Sequence, residues 1–383
     1  MRKIKKYWLS IFILLGVSIL LNLLAFWKSF TNFYADHIYP FFVNFMGPLN
    51  NWSKVAIGEI LMYFAILVVI VEINTAILLI FRRKKDRFVR HAVAHSRFTL
   101  FLATLVFFVF TVMWLVPIRA DEADTQNDSV REYTFSDLEE LRNYLVLRTD
   151  WLALQVERNE DGSLKYDDAI DTAISEAMRQ KSDVYPRLSG YYGRPKYALC
   201  SDFLEWSGIG GFTYVYTKEV TLNRYTSDFY YPTLYSHELA HYKGFFKESE
   251  ANFLSFITMN ESGNALLAYS ACAEMLLQYV EEAYQNSYEQ AFDMENNFEA
   301  AQAHYYEQPG LFDLVRMDIT ASYEAAQKRY AETPHPAESI SEVVNEVSDY
   351  GWEAQDAILQ EDNYDGVVRM LLEYYWGRGF LAQ

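Results

Sequence analysis

The sequence predicts a mainly α-helical protein in which three transmembrane helices precede a helix-rich α+β domain with a small β-sheet. Three observations predict it. Long, almost uncharged apolar stretches recur within the first 118 residues, acidic residues concentrate beyond them, and two short runs of β-branched and aromatic residues interrupt amphipathic helical patterns. The expected division is a membrane anchor over 1–118 and a second domain over 119–383.

The first apolar run, Trp8 to Phe26, follows Arg2, Lys3, Lys5 and Lys6. A basic start suits a signal peptide or an anchor. No small-residue cleavage site follows; Trp27, Lys28 and the aromatic stretch through Tyr39, Phe41, Phe42 and Phe45 lead instead into more apolar sequence, so the run reads as an anchor. The second and third runs, Ile57 to Phe81 and Phe98 to Ile118, reach the roughly 20 helical residues that cross a hydrocarbon core about 30 Å thick. Between them lies the densest basic cluster, Arg82-Arg83-Lys84-Lys85-Asp86-Arg87, with Arg90 beyond. The positive-inside rule puts this cluster and the N-terminus in the cytoplasm and everything after Ile118 outside. The expected location is the bacterial cell membrane, multi-pass, with an extracytoplasmic C-terminal domain. Glu59, near the start of its helix, is expected to reach interfacial water. Glu72 lies deeper, with Asn22 and Asn74 as candidate neighbours, and reads as a helix-packing contact rather than a functional carboxylate.

The formal charge of -18 resides almost entirely beyond residue 117. With that acidic balance beyond the spans, and the one dense basic cluster assigned to the cytoplasmic end of the spans, the chain offers no electrostatic footprint for neutralising phosphates, which excludes nucleic acid as a partner. Cys200 and Cys272 are compatible with one disulfide or two buried thiols. The run 121–130 reads as a polar linker. Ser136 with Glu139 forms a capping box, predicting a helix that carries Leu138, Leu141, Leu145 and Leu152 and stops near Asn159–Gly162. A second helical pattern covers Tyr166 to Lys181, and a Pro-, Gly- and Tyr-rich extended segment covers Val184 to Asp202. Two strands are expected, Phe212 to Tyr216 and Glu219 to Asn223, then helices over Lys247–Phe256, Asn264–Tyr284 and Asp313–Glu332. A docking helix is expected over Met370–Phe380.

The chemistry concentrates in His237-Glu238-Leu239-Ala240-His241. Residues four apart share a helix face, so both imidazoles can address one metal ion while Glu238 stands beside them as general base. Two neutral imidazoles and a carboxylate are a zinc donor set, with one position left for a water whose pKa falls toward about 7. Gly244 lets the chain turn back after the helix. Glu248 and Glu250 both qualify as third ligand. Glu248 is favoured because Asn252 lies one turn along the same face, where it can orient a ligand; Glu250 would relieve a tight return. The metal ligands expected are therefore His237, His241 and Glu248, with Glu238 catalytic. Arg224, Tyr225, Tyr230, Tyr235 and Tyr269 are candidate donors to a developing oxyanion, and Tyr269 is the one singled out, on the next expected helix. Glu274 on that helix is either an orienting group or a surface acid.

HExxH followed by a second helix bearing ExxxN resembles the glutamate-zincin metallopeptidases. That resemblance implies a zincin-like fold with Glu248 as third ligand and Asn252 orienting. A closer resemblance is to the bacterial membrane family "domain of unknown function 3810", carried by the basic N-terminus, the early spans, Gly208–Gly211, Glu219 with Asn223, His237–His241, Gly244 and Glu248–Phe253. Together these imply a zinc-dependent metallopeptidase acting on an extracytoplasmic or membrane-associated polypeptide. The alternatives are a noncatalytic zinc-binding sensor or assembly protein, and a zinc-dependent cell-envelope amidase. Oligomeric state is not legible.

Overall fold

The computed structural model describes residues 2–82, 86–125, 132–292, 297–335 and 363–377. The chain opens with α1 (Arg2–Leu24), α2 (Lys28–Phe33) and α3 (Tyr39–Asn50), followed by α4 (Ile57–Arg82) and α5 (Asp86–Phe110). A π-helical and a 3-10 turn extend α5 to Arg119. Three segments are long and apolar enough to cross a membrane: Lys5–Leu24, Ile57–Phe81 and Arg87–Arg119. The third therefore begins before Phe98, because the helix continues toward the basic cluster, of which Arg83, Lys84 and Lys85 lie outside the described residues. α5 packs on both α1 and α4. Glu72 accepts hydrogen bonds from Ser96 (2.6 Å) and Thr99 (3.1 Å) and meets His95 Nδ1 at 2.5 Å, so it joins α4 to α5. The neighbours expected for it bond elsewhere: Asn74 to the Ile70 carbonyl, Asn22 to the Ser18 carbonyl and Thr111.

The remainder is helix-rich with a small mixed sheet. Its first helix, α6 (Phe135–Ala153), is capped by Thr134, whose backbone N–H donates to Asp137 at 2.7 Å while the Thr134 hydroxyl receives the Asp137 N–H. The expected Ser136 and Glu139 box is displaced by two residues, since Glu139 is used instead by His304 and Tyr284. The helix ends at Ala153, and Asn159–Gly162 forms a separate turn closed by the bridge between Arg158 and Leu164. Next come α7 (Ile170–Arg179), β1 (Lys196–Tyr197), α8 (Ser201–Trp206), β2 (Gly211–Tyr214) and β3 (Glu219–Leu222). Then α9 (Tyr231–Lys243), α10 (Glu248–Asn260), α11 (Ala265–Met275), α12 (Glu281–Ala291), α13 (Phe298–Glu307), α14 (Asp313–Ala331) and α15 (Asn363–Gly377) complete the order. The helix expected over Asn264–Tyr284 is divided by a π-helical turn, Leu276–Val280. Linker residues 126–130 and tail residues 378–380 lie outside the described residues.

α10 is the centre of the packing: α9, α11, α7 and α15 all lie against it. Phe253, Leu254, Phe256 and Ile257 are buried there, each contributing about 1.5–3 kcal/mol of transfer free energy. α15 docks through the buried Met370, Leu371 and Tyr374. Cys200 and Cys272 are free thiols, and Cys272 donates to Asn260.

In the sheet, β3 is central, with β1 parallel on one side and β2 antiparallel on the other. β1 was not anticipated: it is two residues long and lies in the Pro- and Gly-rich segment. β2 is thus an edge strand. Its far end and the start of β3 rest on the head of α4. Glu219, 3% exposed, accepts the free N–H groups of Ile57 (3.0 Å) and Gly58 (2.8 Å) and pairs with buried Lys196, satisfying donors that a helix start leaves open. Gly58 is needed there, since a Cβ would lie 2.3 Å from the Tyr214 ring. Glu59 does not reach interfacial water: it is fully buried and accepts the N–H groups of Leu199 (2.9 Å) and Cys200 (2.8 Å).

Candidate metal centre

α9 starts with Pro232 in its first turn, where a missing N–H costs nothing. It ends at Gly244, which takes φ +96 and lies against Tyr39, a conformation and a clearance that favour glycine. The reversal brings α10 back across α9, and among the described residues the two pack as an extensive helix pair. Ser236 and Ser255 exchange a 2.6 Å hydrogen bond at their crossing.

This crossing brings the donors together. His237 Nε2 lies 3.1 Å from one Glu248 oxygen and His241 Nε2 lies 3.5 Å from the other. One ligand atom from each of the three residues lies within 4.8 Å of the others, so the group can chelate a metal ion. The opposite ring nitrogens are engaged. His237 Nδ1 meets Asn252 Oδ1 at 2.7 Å and His241 Nδ1 meets the Phe245 carbonyl at 2.8 Å. A carbonyl only accepts, so each Nδ1 carries a proton, and it is the Nε2 atoms that face the centre, where a bound cation would take their lone pairs in place of a proton. The donor chemistry fits a divalent cation. Glu250 is elsewhere: it is buried, and accepts the Ala123 N–H at 2.7 Å and, more weakly, the Lys247 N–H. Glu248 is thus the glutamate that faces the histidines, while Glu250 is turned away by its contact with Ala123, 127 residues away in sequence.

Glu238 lines the same cleft and is held from β2. The Thr213 hydroxyl is 2.9 Å from Glu238 Oε2 and 2.8 Å from its backbone carbonyl. Burial raises the Glu238 pKa, against the lowering influence of His241 and His237. Burial works to lower His241, but the facing Glu248 carboxylate overrides it and carries the imidazole up to about 9. Burial likewise works to raise Glu248, and the two histidines outweigh it, holding the carboxyl well below the usual range.

The cleft measures about 1200 Å³ and runs along β2. A model of the family described as "Protein of unknown function (DUF3810)" matches residues 34–349, far more than half of the chain and inclusive of α4, α5, the sheet and this cleft. The chain belongs to this family. No curated protein and no solved structure matches it significantly.

Within this DUF3810 member, Tyr269 is not brought to the cluster. It is fully buried outside the cleft lining, and its hydroxyl donates to Asp318, which also receives Arg158. Tyr235 donates to the Gly193 carbonyl, Tyr225 to Asp202, and Arg224 to the Ala198 carbonyl. Among the five donors weighed from sequence, Tyr230 lines the cleft. Glu274 also lines it, with Oε2 shielded from solvent and without a hydrogen-bond partner among the described residues. Sequence reasoning missed Thr213 and the Phe245 carbonyl. Neither carries a local signal, since both act through a turn or a strand-to-helix contact.

Proposed function

We propose that this protein is a membrane-anchored, zinc-dependent metallopeptidase whose cleft lies on the extracytoplasmic face. Residues 1–118 serve as the anchor and 119–383 as the zincin-like peptidase domain. The observation that carries the reading is Glu238: a buried carboxylate of raised pKa, held by Thr213 in the same cleft as the His237, His241 and Glu248 triad. A site that only binds metal has no use for such a group.

A zinc ion held by the triad supplies Lewis acidity, which lowers the pKa of a water toward about 7 and polarises the scissile carbonyl. The chain's own residues do the rest. β2, which among the described residues pairs with β3 on one side, presents its other edge to an extended peptide, the strand-addition mode. Glu238 takes a proton from the attacking water at its carboxylate and returns it to the departing amine nitrogen. Thr213 fixes Oε2 so that the carboxylate does not rotate away. Tyr230, the one of the donors weighed from sequence that lines the cleft, supplies a hydroxyl for the carbonyl oxygen as charge develops there. The strand edge favours a peptide over a wall polymer, which separates this reading from an amidase.

Metal content of detergent-purified protein tests it. About one zinc per chain is expected, lost in His237→Ala and Glu248→Ala and kept in Glu238→Gln and Glu250→Ala. Peptide hydrolysis should vanish in Glu238→Gln. Metal-free parent protein, or full activity without Glu238, would sink the proposal.

A further inference from the structure

The wall of the cleft is partly made of membrane-spanning helix. Met62 of α4 and Trp114 of the extended α5 both line it, beside Phe203 and Phe212. Met62 follows Glu59 by three residues, which places the two on one face of α4. That face is fixed toward the sheet, because Glu59 holds the backbone of Leu199 and Cys200, and Gly58 packs directly on Tyr214 of β2. Met62 is only five residues, about 7.5 Å of helix rise, from the start of the span. Trp114 precedes Arg119 by five residues at the matching end of the third span, the level at which Trp concentrates in membrane proteins.

The surface around this junction is apolar and uncovered. Leu199 is 53% and Phe203 41% exposed, and both belong to the segment that Glu59 pins to the head of the span. An exposed apolar shelf would be costly in water. Here it is continuous with the outward apolar face of α4, where a bilayer supplies the covering. The shelf therefore connects hydrocarbon on one side with the β2 edge on the other.

We infer, on the basis of the peptidase reading above, that the substrate is a polypeptide anchored in the same bilayer, which lies along Met62, Trp114, Leu199 and Phe203 and enters the cleft through its membrane-proximal segment. Apolar contact on the shelf holds the anchor end, and the β2 edge aligns the extended segment that follows it.

The test uses the full chain, zinc-loaded and reconstituted in vesicles of phosphatidylethanolamine and phosphatidylglycerol. Two probes are compared: a degenerate-sequence peptide library free in solution, and the same library fused to a polyleucine transmembrane helix. The readout is the ratio of tethered to free cleavage, followed as the spacer between helix and library is lengthened. The expected result is a ratio above about tenfold that falls as the spacer grows. Met62→Gln and Phe203→Gln should each lower that ratio about fivefold through lost apolar contact, with zinc content unchanged. Trp52→Gln, an exposed aromatic outside the cleft lining, should not lower it. Equal cleavage of both libraries, or a ratio indifferent to Met62→Gln and Phe203→Gln, overturns the inference while leaving the peptidase reading intact. Cleavage of neither library by zinc-loaded protein overturns the peptidase reading itself, and this inference with it.

Discussion

Along α4 the apolar side chains face outward: Ile60, Leu61, Ile66 and Leu67 are each at least half exposed, and the carboxylates Glu59 and Glu72 turn inward to protein donors. Along α9 nearly everything faces inward, with Tyr235, Ser236, Glu238, Leu239 and Ala240 buried together, while Tyr231, Leu234 and the cleft-facing histidines retain partial access. The two helices handle their carboxylates alike, giving Glu59, Glu72 and Glu238 protein partners, since an unmet buried donor or acceptor costs about 1–3 kcal/mol. They differ in what lies outside. α4 meets a medium that accepts bare hydrocarbon, whereas α9 is enclosed by other helices and a strand, so its polar groups can be held at fixed distances for use. Position in the molecule, more than residue type, separates a packing carboxylate such as Glu72 from Glu238, the one proposed to act chemically.

The sharpest way to break this comparison is to remove the chemical carboxylate alone. Glu238→Gln should lower peptide hydrolysis by about 10³-fold or more, as loss of a general base on an activated water does, with retained zinc as the control. A reduction of only a few-fold would return Glu238 to a packing role.

The next largest effect is expected where the two regions meet. Glu219→Ala leaves Lys196 buried without its partner and opens the N-terminus of α4, so it should destabilise by about 3–5 kcal/mol in denaturant unfolding. The paired change Glu219→Gln with Lys196→Met, which leaves no charge unpaired, should recover much of that loss. Equal losses in the single and paired variants would show that the junction depends on shape and not on charge.

Asn252→Ala frees the His237 ring and should weaken zinc binding about 10- to 100-fold in chelator competition. Unchanged affinity would mean that packing alone orients the imidazole.

The smallest effect concerns Glu274. Burial pushes its pKa up to about 8 from 4.5. The folded state therefore holds this proton more tightly than the unfolded chain, and the stability it contributes is complete below about pH 4.5 and lost as pH rises through about 8. Glu274→Gln should gain melting temperature relative to the parent over that interval, by about a few degrees at most, with the difference closing in acid. A constant offset across pH would place the ionised carboxylate in contact with solvent.

Much of the fold was legible because its signals are local. Uninterrupted apolar runs announce the spans, and β-branched and aromatic alternation announces β2 and β3. Where competing local signals coexist, sequence chose differently from the molecule. Thr134 with Asp137 caps α6 while Ser136 with Glu139 does not, since Glu139 is engaged by His304 from a distant helix. β1 escaped notice because two residues carry no periodicity.

What the sequence by itself determined is the donor set: His237 and His241 share a face because an α-helix repeats every 3.6 residues, and Glu238 must stand beside them. Only the tertiary structure decided that Glu248 faces the histidines while Glu250 caps toward Ala123, that Tyr269 belongs to the Asp318 network, and that Met62 and Trp114 complete the cleft wall. Those outcomes depend on how helices cross and which backbone N–H groups are left to satisfy, and such contacts join residues as far apart as Tyr269 and Asp318, 49 positions, or Ala123 and Glu250, 127 positions, where no sequence period reaches.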